Sequence, residues 1–366
     1  MKVSEILTRF QAWLNKWGLR FLLASLGLGL KSAQEANVKT IHGKNAKNNL
    51  PDLTEKISRE SSRYPVAQGS FGDVWKCICK HPPIPVAVKC LRLEIPNDSC
   101  KTKITEVRVA PRMGTTCLFA NRNTQLKHDN LLPLLGITQG FGPLPAIVSP
   151  WMHKGSLTML LEHDFEQLTI TRMLHILKDV ASALQYCMRQ MSIFGAKLTG
   201  ILVHSKNIVH GDLTGNNILI HENGNAFVTD HGILIFCAEL HGTSYIGSNV
   251  RWAAPENFQV PEDDKSTSSP QLVSDIYSFG CIMLQVFTGK VPYSEFRSDH
   301  QVTVQILRGR KPARPVTPPI ADALWDFMQK CWLDEPERRP SAQEVLIFIQ
   351  GQLKLPWGSS RLPCDS

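Results

Sequence analysis

Val209-His210-Gly211-Asp212-Leu213-Thr214-Gly215-Asn216-Asn217 carries a carboxylate followed, five residues on, by an amide. Phe227-Val228-Thr229-Asp230-His231-Gly232 carries a second carboxylate, beyond a short apolar stretch that reads as a hairpin. Clustered Asp and Asn oxygens suit a hard cation such as Mg²⁺, which takes oxygen ligands. Upstream, Gln68-Gly69-Ser70-Phe71-Gly72-Asp73-Val74 is a glycine-rich turn between two predicted strands. Without Cβ atoms, backbone N–H groups there can approach phosphate oxygens. Pro85-Val86-Ala87-Val88-Lys89 ends an apolar strand in one lysine, and an ammonium in such surroundings needs an anionic partner to stay charged. Each signal alone is weak, because strand-end lysines and glycine turns are common.

The elements that must position these residues change character along the chain. From about Tyr64, short β-branched and aromatic runs such as Val74 to Ile78 and Val86 to Val88 alternate with Gly and Pro and predict strands. Beyond Leu157 the apolar spacing turns helical, and Met173 to Met188, Asp275 to Phe287 and Ala321 to Trp332 each read as a helix. A β-rich part followed by an α-rich part is an α+β arrangement. The length of 366 residues allows about two folding units at ~150 residues each.

Of the net charge of +8, six charges fall in residues 1–50, which hold eight basic and two acidic side chains. Ile6, Phe10, Leu14, Trp17, Phe21 and Leu22 recur there at helical spacing, so this extension could meet an acidic protein or an anionic membrane surface. The apolar run Phe21 to Leu30 is ten residues, short of the ~18–20 that span a bilayer, and no small-x-small cleavage pattern follows it. The expectation is an intracellular, cytoplasmic protein. The ten cysteines include no Cys-x-x-Cys pair, so reduced structural thiols are expected. No aromatic-basic motif of a nucleic-acid-binding fold is present, and no nucleic-acid partner is predicted.

Taken together and in this order, the segments resemble a eukaryotic protein kinase, most closely the tyrosine-kinase-like group, over residues 62–350. Further landmarks are Trp252-Ala253-Ala254-Pro255-Glu256, Ser274-Asp275-Ile276-Tyr277-Ser278-Phe279-Gly280, and Cys331-Trp332 leading to Pro336-Glu337-Arg338-Arg339-Pro340. The resemblance implies an α+β bilobal fold, with a small β-rich lobe at about 62–150, a larger helical lobe at about 151–350 and a tail at 351–366. It implies ATP beneath the turn Ala67, Gln68, Gly69, Ser70, Phe71, Gly72 and Val74, against Ala87 and Lys89, with the hinge near Pro150-Trp151-Met152 and Ser149 guarding the rear pocket. It further implies Lys89 on the phosphates and paired with Glu106 (Glu94 as fallback), and Asp212 accepting the proton of a protein substrate's hydroxyl. Asn217 and Asp230 would hold Mg²⁺. By the same resemblance Glu256 and Arg339 form a structural ion pair, and Asp275 braces the catalytic loop.

The departures from the family pattern matter as much. Ala67 stands at the first glycine, Gly211 replaces the arginine before the catalytic aspartate, and His231 replaces a phenylalanine after the metal-binding one. Tyrosine-specific kinases resemble one another in an arginine soon after that aspartate, and serine/threonine kinases in a lysine two positions on; Thr214 and Gly215 supply neither. The group resemblance points to Ser/Thr acceptors, with dual specificity as a variant of that reading. A catalytically impaired, nucleotide-binding scaffold is the alternative. From Lys89 to Asp212 the chain is about thirty residues longer than the pattern; the surplus falls at Val109 to Gln125, where Pro111 and Gly114 interrupt an expected helix, and at Cys187 to Val203, and each stretch reads either as a surface insertion or as translated non-coding sequence.

Overall fold

The computed structural model describes residues 51–60, 64–69, 72–80, 83–91, 126–142, 144–197, 209–230, 233, 249–258 and 272–357. The extension 1–50 and its partners, Glu94, the stretch 109–125, and the expected site positions Ser70, Phe71, Glu106 and His231 lie outside the described residues. The chain divides into two compact units.

One unit is an antiparallel sheet. Its strands are β1 (Ile57–Arg59), β2 (Ala67–Gly69), β3 (Gly72–Lys80), β4 (Pro83–Leu91), β5 (Gly136–Thr138) and β6 (Ala146–Pro150). They run in the order β1-β3-β4-β6-β5, with β2 also pairing β3. Side chains alternate between faces along a strand, and β4 follows the rule: Val86, Val88 and Cys90 are buried, while Ala87 and Lys89 are half-buried. The buried set joins Ile57, Cys77, Ala146 and Val148 in one core. Burial pushes the Cys77 and Cys90 thiols up to about 11, so both behave there as small apolar groups.

The sheet starts earlier than the sequence reading, which places the first strand after Ser62. Ile57 is only 8% exposed, and Ile57–Arg59 pair with Cys77–Cys79 of β3. Leu53 donates its N–H to the Ile137 carbonyl, and Ile137 donates back to Pro51. The Arg59 guanidinium lies 4.7 Å from the Trp75 ring and 4.5 Å from the Phe141 ring, and donates to the Gly140 carbonyl at 2.7 Å. A three-residue strand between Lys56 and Glu60 has no alternation to read.

Gly72 owes its identity to this sheet. A Cβ there would lie 2.0 Å from the Cys90 carbonyl oxygen, whereas at Gly69 the nearest atom would be the Gly72 oxygen at 3.7 Å. Gly72→Ala is therefore expected to separate β3 from β4 and destabilise the protein by about 1–3 kcal/mol, as overpacking does. Gly69→Ala should leave the melting temperature nearly unchanged. Thermal melts of the two variants check this, and equal melting temperatures would contradict it.

The other unit carries the hairpin β7 (Ile218–Ile220) and β8 (Ala226–Val228) and, among the described residues, six helices. These are α1 (Leu157–Asp164), α2 (Ile170–Lys197), α3 (Leu272–Thr288), α4 (Asp299–Leu307), α5 (Asp322–Cys331) and α6 (Ala342–Gln352). Within α3, Ile276, Tyr277, Phe279, Cys281, Ile282, Met283 and Val286 are at most 1% exposed. A helix apolar all round is a central one. Capping boxes start α4 at Ser298 with Gln301 and α6 at Ser341 with Glu344, satisfying N–H groups that a helix start leaves open.

The surplus stretch that begins at Cys187 continues α2 as far as Lys197. That segment holds no proline and one glycine, Gly195, so nothing in it ends a helix. Arg189 Nη2 donates to Gln343 Oε1 of α6 at 2.6 Å. No helix among the described residues is long and apolar enough to cross a membrane.

Candidate active site

In the sheet unit, register assembles the expected nucleotide-facing side chains. Lys89 is paired with Val74 of β3 and Ile147 of β6, and Ala87 with Lys76 and Ser149. Cross-strand partners share a face, so Val74, Ala87, Lys89 and Ser149 line the one opposite the Val86, Val88 and Cys90 core. Lys76 extends this face, its ammonium 5.6 Å from the Trp151 ring. Trp151 is tied to β4 by its N–H to the Pro85 carbonyl at 3.3 Å. Ala67, Gln68 and Gly69 are exposed on β2 and pair with Val74, Asp73 and Gly72. Met152 belongs to the helical unit, where it is buried and its carbonyl accepts the Gly155 N–H at 3.0 Å.

In the helical unit, Asp275 of α3 sets the geometry of the loop bearing Asp212. Its Oδ2 accepts the His210 N–H at 2.7 Å and its Oδ1 the Gly211 N–H at 2.9 Å. Burial pushes the Asp275 carboxyl up to about 7 against those two N–H donors, and the nearby Asp212 charge adds to the rise. Gly211 sits at φ 77°, a left-handed conformation that costs other L-residues roughly 1–2 kcal/mol. Glycine thus removes backbone strain at the position where the family pattern has arginine, and gives up the cation. His210 ties two segments together: Nδ1 accepts the Asp212 N–H at 3.2 Å, and Nε2 donates to the Thr229 carbonyl at 2.9 Å.

Asp212 itself is 8% exposed, and each carboxylate oxygen accepts an amide. Asn217 Nδ2 donates to Oδ2 at 2.9 Å and to the Asp212 carbonyl at 2.8 Å; Asn249 Nδ2 donates to Oδ1 at 2.8 Å. Sequence reasoning missed Asn249. Its signal is faint, a lone amide three residues before Trp252 in the segment leading to Pro255-Glu256. Thr214 is buried with its hydroxyl lacking a hydrogen-bond partner among the described residues, and a Cβ on Gly215 would reach 2.6 Å from Thr158 Oγ1.

The hairpin brings the two expected metal ligands to adjacent strand ends. Ile218 pairs with Val228, and beyond that pair the Thr229 N–H donates to the Asn217 carbonyl at 3.0 Å, one residue before Asp230. Asp179 Oδ2 accepts the Ala226 N–H at 3.0 Å, and Asn130 Nδ2 donates to the Ala226 carbonyl at 3.1 Å, which anchors β8. The donor set fits Mg²⁺: with its amide nitrogen spent on Asp212, Asn217 has a neutral oxygen to offer beside the Asp230 carboxylate, and Mg²⁺ is ordinarily held by one or two such groups plus phosphates. Among the described residues no group of three His, Cys, Asp or Glu side chains forms an all-protein cage.

The expected ion pair is present. Arg339, its side chain wholly buried, donates Nη1 to Glu256 Oε1 at 2.5 Å and Nη2 to Oε2 at 2.8 Å, with further bonds to the Leu333 and Val273 carbonyls. Burial alone would raise the Glu256 carboxyl, but the hydrogen bonds and charge of Arg339, helped by Ser274, hold it below its ordinary value. Arg251 is equally committed: Nε donates to Asp299, Nη1 to the Pro292 and Tyr293 carbonyls, and Nη2 to Phe296.

The profile of the family described as protein tyrosine and serine/threonine kinase matches residues 62–349. The chain is 26% identical over 337 residues to Kinase suppressor of Ras A of Caenorhabditis elegans, covering 87% of this chain and 39% of that protein. It is 26% identical over 299 residues to Ephrin type-A receptor 1 of Homo sapiens and 25% over 301 residues to Ephrin type-B receptor 5 of Gallus gallus; each alignment covers 80% of this chain and 26% of the relative. The chain therefore spans less than half the length of these relatives. With a match over most of its length, on an antiparallel sheet followed by a helical unit, the chain belongs to the protein tyrosine and serine/threonine kinase family and has its α+β bilobal fold.

Proposed function

We propose that this chain transfers the γ-phosphoryl group of ATP to Ser or Thr hydroxyls of protein substrates. The observation that carries the reading is the buried Asp212 carboxylate, held at both oxygens by the Asn217 and Asn249 amides on a loop that Asp275 braces. Asn217 and Asp230 would hold Mg²⁺, which when bound offsets charge between the β- and γ-phosphates. Lys89, on the face shared with Val74, Ala87 and Ser149, would donate to the phosphates. Catalysis is then chiefly positioning and electrostatics.

The choice of Ser/Thr rests on the resemblance to the tyrosine-kinase-like group, because the loop after Asp212 carries neither the arginine usual in tyrosine-specific members nor the lysine usual in serine/threonine ones. The space around Gly215 is filled by Thr158 and Gln285, and Thr214 is 1% exposed, so neither position has room for a longer side chain without a shift of its neighbours. Phosphoamino-acid analysis of a labelled generic substrate tests it: phosphoserine and phosphothreonine are expected, and phosphotyrosine alone would contradict it. The unpartnered Thr214 hydroxyl, standing where a lysine cation is usual, favours a second reading as a silent nucleotide-binding scaffold. Stabilisation by Mg²⁺-ATP without any transfer would decide for that reading.

Control follows from the missing cation. Gly211 has no side chain to receive a phosphate, and the Arg251 guanidinium is spent on Asp299 and three carbonyls. Activity is expected not to depend on phosphorylation at Thr243, Ser244, Tyr245 or Ser248. Replacing them by Ala, Ala, Phe and Ala should leave specific activity within about tenfold, which is ~1.4 kcal/mol of barrier. A larger fall would show that another cation takes the arginine's place.

A further inference from the structure

A cavity of about 520 Å³ opens in the helical unit, away from Asp212 and the β7–β8 hairpin, at the C-terminal end of α3. Its apolar lining includes Leu284 from the last turns of α3 and Val291 just beyond. Val316, 90% exposed, stands on its wall. Lys290, Arg310 and Arg314 also line it, against one carboxylate, Glu295.

The charge here is concentrated. Residues 290–314 hold six Lys or Arg side chains and two acids, although all residues beyond position 50 together hold only two net positive charges. These cations are unequally engaged. Arg314 is bonded to Asp322 at 2.5 Å and to the Ile320 carbonyl at 2.6 Å. Arg310 reaches Glu295 only at 3.7 Å, beyond hydrogen-bond distance, with its guanidinium 5.1 Å from the Phe296 ring and about half of its side chain exposed. The Lys290 side chain is exposed. The carbonyls that end α3 contribute a partial negative charge of about half a unit, which is smaller than the excess of Lys290, Arg310 and Arg314 over Glu295 and Asp322.

We propose that this cavity docks an acidic segment of a protein partner, seating an aliphatic side chain against Leu284, Val291 and Val316 while flanking carboxylates engage Lys290 and Arg310. The volume lies within the ~300–1,000 Å³ usual for binding pockets, and guanidinium forks match carboxylate geometry. A nucleic acid is the poorer occupant. Single strands bind by stacking bases on aromatic faces, and the aromatic side chain of this cavity, Tyr293, is 1% exposed. Its hydroxyl is spent as well, donating to the Arg310 carbonyl at 2.9 Å. At φ 55° Tyr293 holds a backbone conformation that is an outlier for a bulky residue, and its carbonyl is bonded to Arg251. Such strain is kept only where neighbours over-determine it, and here Arg251 and the Arg310 carbonyl hold Tyr293 at both ends.

The test is fluorescence anisotropy on the full chain with a labelled peptide of alternating Glu and Leu. Saturable binding that weakens with salt is expected, and the double variant Lys290→Glu/Arg310→Glu should raise Kd at least tenfold. Val316→Ser should weaken it through the apolar contact. Both variants alter exposed side chains, and an unchanged melting temperature verifies their fold. Four results would overturn the proposal: no binding, unchanged affinity in the charge-reversed variant, equal affinity for the Gln-for-Glu peptide, or tighter binding of a single-stranded oligonucleotide at the same residues. Unchanged affinity after charge reversal would assign the peptide to the basic extension 1–50. The readout is binding, so it stands or falls independently of phosphoryl transfer.

Discussion

Replacing Asp212 by Asn is expected to lower turnover about 10²–10⁴-fold, the range for loss of a positioned general base, while ATP affinity stays nearly unchanged. The side chain keeps its shape and loses its charge and basicity. One of the contacts with Asn217 and Asn249 becomes a meeting of two N–H groups. Asn249 can relieve this by turning its amide, so the fold should survive, and a melting curve separates a lost base from a lost loop. Asn249→Ala removes one amide and leaves the carboxylate, and its effect on turnover should be the smaller. Single-turnover kinetics with an ATP titration makes the measurement. Unchanged turnover in Asp212→Asn would mean that the phosphate is transferred by another site.

Glu256→Gln is expected to be the most damaging of the structural substitutions. The Arg339 guanidinium is fully buried, and the change takes away its counter-charge while leaving the cation in place. Breaking a buried pair in this way costs about 3–5 kcal/mol. At ~2–4 °C per kcal/mol for a domain of this size, the melting temperature should drop by roughly 6–20 °C. The Glu256 carboxyl side chain retains some solvent contact, 19% of its surface, so the lower part of that range is expected. The pH dependence has a definite sign. The folded-state pKa lies below the ordinary 4.5 of the unfolded chain, so the contribution is complete above that value and is lost as pH falls through the folded one. The gap between parent and variant should narrow in acid, and a gap that widened would contradict the ion-pair account. Replacing both residues by Leu and Met should cost less than Glu256→Gln alone, because no unpaired charge then stays buried.

Which features were legible in the sequence depends on how far the responsible interaction reaches. The β7–β8 hairpin was readable because its apolar run is local and bounded by turn residues, and α3 because its apolar residues recur at helical spacing over about four turns. Asp212, Asn217 and Asp230 came from spacing plus family resemblance, and the hairpin register brings the last two to adjacent strand ends. Val74, Ala87, Lys89 and Ser149 were named one at a time; only sheet register shows that they share a face.

Three features could not be read. β1 is three residues long, and its partner strand begins thirteen residues later, so no window contains its reason for pairing. The role of Asn249 lies in a bond across 37 residues of chain. Gly72 looked like half of a phosphate-binding turn, yet the Cys90 carbonyl, eighteen residues away, is what leaves no room for a side chain there. In each case the deciding contact is non-local. Gly211 is the converse case: a departure that reads from sequence as a loss is, in the structure, a left-handed position that glycine fills without strain.

The central claim, that this chain is an active protein kinase, is tested most directly by incubating the purified full chain with radiolabelled ATP and a generic protein substrate, with Mg²⁺ or with a chelator. The account predicts label on Ser and Thr that requires the metal and disappears in Asp212→Asn. Label no greater in the parent than in Asp212→Asn, from protein whose melting temperature Mg²⁺-ATP nonetheless raises, would contradict it.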